Sequence, residues 1–159
     1  MADDANSSLS ASIFLDEIKT NISGISNYTP ADSTEKWIFA EVPVGSGAST
    51  NLLGVDNDYL GGPRPVALTD TFKWIFIKNM SDSIVKGIGV DFNAGTAAYN
   101  LKTTMFISAG EAIIVKVPNA TVEDCHARSC VMDSTGSYPT SQGSATINVH
   151  VAGILHDVA

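Results

Sequence analysis

The chain has 159 residues, 44% of them apolar and 16% charged, with a net charge of −8 from 9 basic and 17 acidic side chains. That is the size of one domain, with enough apolar residues to bury a core without a disulfide or a structural metal. An acidic chain without a Lys/Arg cluster repels phosphate, which weighs against nucleic acid as a partner. No apolar run reaches the roughly 18 residues of a membrane-spanning helix, which weighs against a membrane partner.

In chain order, residues 1–8 are small and polar. Met1-Ala2-Asp3-Asp4 is acidic where a signal peptide is basic, so a cytoplasm-like compartment and reduced cysteines are expected. Leu9, Ile13, Ile18, Ile22 and Ile25 recur at spacings of four, five, four and three, which predicts a short helix in an N-terminal arm, residues 1–25. The run Ile13-Phe14-Leu15 would also suit a strand.

Residues 26–159 are expected to form one all-β domain, an antiparallel two-sheet sandwich or jelly roll. Period-two alternation or dense apolar runs mark strands at 37–42, 71–78, 84–92, 101–107, 111–117 and 145–155. The turns between them predict two hairpins, 71–78 with 84–92 and 101–107 with 111–117. The expected core is Trp37, Phe39, Trp74, Phe76, Ile88, Val90, Phe92, Ile113, Val115, Val149 and Val151. The stretches 45–70 and 118–144 are long for connections, so they are either functional loops or contain further strands, near Pro65–Leu68 and Thr121–Cys125.

The chemical motifs are weak. Cys125-His126-Ala127-Arg128-Ser129-Cys130 offers too few ligands for structural zinc, and neighbours on a strand point to opposite faces. Asp56-Asn57-Asp58 opens like a calcium loop, but Leu60 and Ala67 stand where that loop needs oxygen ligands. Gly45-Ser46-Gly47-Ala48-Ser49 lacks the Lys-Ser/Thr ending of a phosphate loop. The expectation is therefore no catalytic, cofactor or metal residues, and no enzyme.

Three segments carry a resemblance. They are Phe72-Lys73-Trp74-Ile75-Phe76-Ile77-Lys78-Asn79 with the turn that follows, Ile84 to Phe92, and Phe106-Ile107-Ser108-Ala109-Gly110-Glu111-Ala112. In style this half of the chain resembles small β-sandwich proteins of tailed bacteriophage particles. The resemblance implies a virion structural protein made in the host cytoplasm. Its role would be a capsid cement or decoration protein, or a tail or head–tail subunit. The implied partners are further copies of itself, as a homo-oligomer, and a major capsid or tail protein. The arm positions Leu9, Ile13, Ile18 and Ile22 are the candidate partner-binding residues. A carbohydrate-binding module is the rival reading, with Tyr59, Tyr99 and Tyr138 available to stack on sugar rings.

Overall fold

The computed structural model describes residues 5–15, 18–28, 35–46, 49–53, 66–93, 104–117 and 120–156. Asp56-Asn57-Asp58, Tyr59 and Tyr99 lie outside them. The chain divides into two compact units, Met1–Ser33 and Thr34–Ala159.

The first unit is an antiparallel ribbon of β1 (Ala5–Leu15) and β2 (Ile18–Tyr28), registered from Ala5 opposite Tyr28 to Leu15 opposite Ile18. This corrects the helix expected there. A spacing of four fits a strand as well as a helix, because it is also an even number. Of the two odd spacings, that from Ile13 to Ile18 straddles the change from β1 to β2, and that from Ile22 to Ile25 moves Ile25 to the other face, opposite Ser8. In β1, Leu9, Ala11, Ile13 and Leu15 alternate with Ser8, Ser10 and Ser12. Serine, asparagine and β-branched residues are poor helix formers, so the period of two prevails.

The second unit is an all-β sandwich of two antiparallel sheets. One sheet has the order β3 (Glu35–Val44), β11 (Ile147–His156), β5 (Thr71–Asn79), β8 (Ala112–Val115). The other runs β10 (Pro139–Gln142), β9 (Cys125–Met132), β6 (Lys86–Phe92), β7 (Met105–Ile107), with β4 (Thr50–Asn51) also paired to β9. The antiparallel pairs β3–β11, β4–β9, β5–β8 and β6–β7 are nested. Strands β3 to β6 run out and β7, β8, β9 and β11 return beside them, as one long ribbon rolled up. That is the jelly-roll arrangement.

Rolling sends β5 and β6, and likewise β7 and β8, to opposite sheets, and this overturns both expected hairpins. β5 pairs with β11 and β8, while β6 pairs with β7 and β9. Ser108-Ala109-Gly110 does turn the chain, but from one sheet to the other. The stretch 118–144 contains β9, eight residues long, and β10. The stretch 45–70 contains β4, and Val66–Leu68 is not a strand.

Val44, Ile75, Ile77, Ile88, Val90, Ile107, Val149, Val151 and Leu155 are fully buried between the sheets. Phe92, Ile113 and Val115 pack against them, and Phe72 meets Phe92 edge to face at 6.0 Å. The expected aromatic core is otherwise turned out. Phe39 is 46% exposed, and Trp74 and Phe76 are half-buried. Of Trp37 the register alone is described. Phe39 is out because its neighbours Ile38 and Ala40 are in, whereas in β5 a bulge splits the aromatic set: Leu155 pairs with Phe72 while Ile154 pairs with Trp74, so Lys73 is extra. The phase of β5 slips there, and Phe72 faces inward with Ile75 and Ile77 instead of with Trp74 and Phe76.

Candidate functional site

The outward aromatics assemble the most distinctive surface of the sandwich. In β3, Ile38, Ala40, Val42 and Val44 are buried, which leaves Phe39, Glu41 and Pro43 on the outer face. Register then lines up rows across the four-stranded sheet. One row is Phe39, Ala152, Phe76 and Ile114, whose end members are 46% and 37% exposed. Beside it run Glu41, His150, Lys78 and Ala112. On the other side Trp37 and Trp74 are the register partners of Ile154.

The polar row is internally satisfied around Glu41. Its carboxylate accepts from the Asn148 amide at 2.6 Å and lies 3.4 Å from His150 Nε2. The His150 ring meets Phe39 at 5.7 Å in an edge-on geometry. Glu41 and Phe39 are thereby held in defined positions at the rim of the sheet. Among the described residues β3 has a strand neighbour on one side only, β11, and no bulge interrupts their ten-residue register. An apolar row that ends on a long edge strand is the kind of surface that a further strand can cover.

The ribbon carries the sequence-derived positions. Leu9 pairs with Gly24, Ile13 with Thr20, Ile18 with Leu15 and Ile22 with Ala11, and directly opposed residues share a face. Leu9, Ile13, Ile18 and Ile22 therefore fall on one face of the ribbon, although not on a helix.

A second surface lies at one end of the sandwich. A cleft of about 680 Å³ is lined by Asp82, Ile84, Phe106, Glu111, Met132 and Thr135, among others. Its rim is built by local hydrogen bonds. Asp133 Oδ1 accepts from the Thr135 hydroxyl at 2.8 Å and the Ser137 N–H at 2.9 Å, and the Thr135 hydroxyl first, then the Ser137, Tyr138 and Thr135 N–H groups, hold its carboxyl below the usual range. Ser108 Oγ donates to the Gly136 carbonyl at 2.6 Å. Tyr138, on the same loop, is 63% exposed.

The cysteines face apart. Cys125 lies in the inter-sheet core with Ala127, while Cys130 contacts Met132 on the other side of β9, its Sγ 3.7 Å from the Met132 sulfur. Burial, with the Asp124 charge adding to it, pushes the Cys125 thiol far up, and burial pushes Cys130 up to about 11. Neither is an activated nucleophile. His126 is engaged by the Glu123 carbonyl at 2.6 Å. Among the described residues no three His, Cys, Asp or Glu side chains gather as a metal-holding group.

Sequence reasoning missed the outer row because alternating aromatics ordinarily mark a core. The available signal was Lys73, a charge beside Phe72 that fits poorly in an unbroken strand. Comparison with known protein families, curated proteins and solved structures gives no match.

Proposed function

We propose that this chain is a non-enzymatic structural subunit of a tailed-bacteriophage particle, a cement or decoration protein that binds and stabilises the shell. A tail or head–tail subunit is the same reading at another position. The observation that carries it is the row Phe39–Ala152–Phe76–Ile114, an apolar stripe held open on a sheet face next to a long edge strand. Two features support it. Jelly rolls recur in viral capsid domains, which is a fold-level analogy. A lone two-stranded ribbon is marginal in water, so one with Leu9, Ile13, Ile18 and Ile22 on a single face calls for a partner surface.

The test is mass spectrometry of density-purified particles from the chain's own source. Tens to hundreds of copies per particle are expected, and absence from the particles would reject the reading. Full-length protein should also bind stripped particles, and a chain lacking residues 1–28 should bind them at least tenfold more weakly, by analogy with the loss of an interface hot spot of roughly 1.4 kcal/mol or more.

A carbohydrate-binding module is the second reading, favoured by Tyr138, exposed beside the end cleft. Retention on a polysaccharide column that Tyr138→Ala abolishes, with no particle association, would put it first.

A further inference from the structure

We infer that two copies of this chain pair edge to edge through β3, antiparallel about a two-fold axis at Phe39, so that their four-stranded sheets become one continuous sheet. The inference rests on the structural-subunit reading, since it names how such a subunit would bind its own copies.

The edge itself is the first argument. Over ten residues β3 is straight in register with β11 and has no described neighbour on its other side. A row of unpaired backbone donors and acceptors is a template for a further strand. Natural edges are blunted by bulges, prolines, brevity or charged side chains, and the charges of β3, Glu35, Lys36 and Glu41, flank an uncharged centre from Trp37 to Ala40. Here the strand is long and unbulged, and its proline, Pro43, is one residue from the end.

Symmetry is the second argument. A two-fold axis perpendicular to the sheet keeps both cores on one side, so opposed residues must share parity. With Phe39 on the axis, Phe39 of one copy faces Phe39 of the other, and the two apolar outer rows merge into one stripe. The 46% of Phe39 that a single copy leaves exposed lies at that seam.

Charge selects the register. Centred on Phe39, Trp37 opposes Glu41, Lys36 opposes Val42 and Glu35 opposes Pro43, so no like charges meet. Centred on Ile38, Glu35 would oppose Glu41, two carboxylates directly across the ladder. Centred on Ala40, Pro43 would oppose Trp37, which moves the missing donor inward. Glu41 already accepts from the Asn148 amide and lies 3.4 Å from His150 Nε2 in its own copy, so its carboxylate is held to one side of the seam.

Sedimentation equilibrium of the full chain should give twice the chain mass. Phe39→Cys should form a disulfide-linked dimer under mild oxidation, while Tyr138→Cys, exposed on a different part of the sandwich, should react no faster than random collision. Phe39→Lys should weaken association roughly tenfold or more, as expected for an aromatic at the centre of an interface, while its melting temperature matches that of wild-type protein diluted to monomer. A wild-type chain that stays monomeric at every concentration, or a Phe39→Cys variant that cross-links no faster than Tyr138→Cys, would overturn the inference. Monomers that still coat particles would reject β3 pairing and leave the particle role standing. Phe39-linked dimers absent from particles would do the reverse.

Discussion

The side-chain amide of Asn79, at the end of β5, donates to the Ile107 carbonyl at 3.1 Å, reaching from one sheet of the sandwich to the other. Its second N–H goes to the Lys86 carbonyl at 3.0 Å, and its Oδ1 accepts from the Ser81 N–H at 2.9 Å. The backbone of Asn79 bonds to Glu111 and Gly110 at 3.0 and 3.1 Å. One fully buried residue therefore pins the β5–β6 and β7–β8 connections together. Asn79→Ala should cost about 2–4 kcal/mol, because it strands buried carbonyls as well as removing bonds. Asn79→Asp should cost no less, since a carboxylate cannot donate to either carbonyl. Urea denaturation measures both, and a loss under about 0.5 kcal/mol would show that water replaces the amide freely.

Neighbouring residues of β5 should respond in the order opposite to their size. Ile75→Ala empties a fully buried site and should cost about 2–5 kcal/mol. Trp74→Ala removes a half-buried side chain from the outer face and should cost less than half as much. Paired denaturation curves decide it: a larger loss at Trp74 would mean that the bulge at Lys73 does not set the phase of β5.

Both thiols should be inert in the folded protein. Their pKa values are raised on folding, so the stability they contribute is complete below the unfolded thiol value of about 8.5. It is lost as pH rises, for Cys130 through about 11. The wild-type chain should therefore lose stability on that alkaline side more steeply than a Cys125→Ala/Cys130→Ala variant. Cys125→Ser, which puts a hydroxyl into the core, should cost about 1–3 kcal/mol at neutral pH. Rapid alkylation of native protein by iodoacetamide would contradict the burial of both sulfurs.

Two glycines with positive φ should behave differently. Gly136 has φ +72°, and a Cβ there would sit 2.6 Å from Ile84 Cγ1 and 3.0 Å from the Ile84 carbonyl. Gly110 has φ +75° but open space around it. Gly110→Ala should cost only the backbone strain, about 1–2 kcal/mol. Gly136→Ala should cost more, and should disturb the loop that carries Tyr138. Equal melting temperatures for the two variants would refute the steric difference.

The fold class was legible because most strands carry the period of two openly. Ile147, Val149 and Val151 alternate with Thr146, Asn148 and His150, and β11 follows that pattern closely. Pairing was not legible, because a sequence shows where a strand is and not which sheet it joins. The segments 71–78 and 84–92 read as a hairpin, yet rolling places them in different sheets. The face of Trp74 was hidden for a related reason: a bulge needs a partner strand to define it, and that partner, Leu155, lies more than 80 residues away. β9 escaped notice because its inward residues, Cys125, Ala127 and Ser129, are small, and small residues mark an interior position faintly. Leu9, Ile13, Ile18 and Ile22 were read onto a helix, whereas their register puts them on one face of a two-stranded ribbon. The outer row was not found at all.

The position of β11 bears on how the chain is made. It is the last strand described and also an inner strand of its sheet, with β3 on one side and β5 on the other. During translation β3 and β5 leave the ribosome long before the strand that joins them exists. Their facing edges must wait, unpaired, until the segment Ile147–His156 has emerged. A nascent chain stalled before that point holds two unmatched strand edges that any similar chain nearby can capture, so folding is a race between completing synthesis and meeting a neighbour.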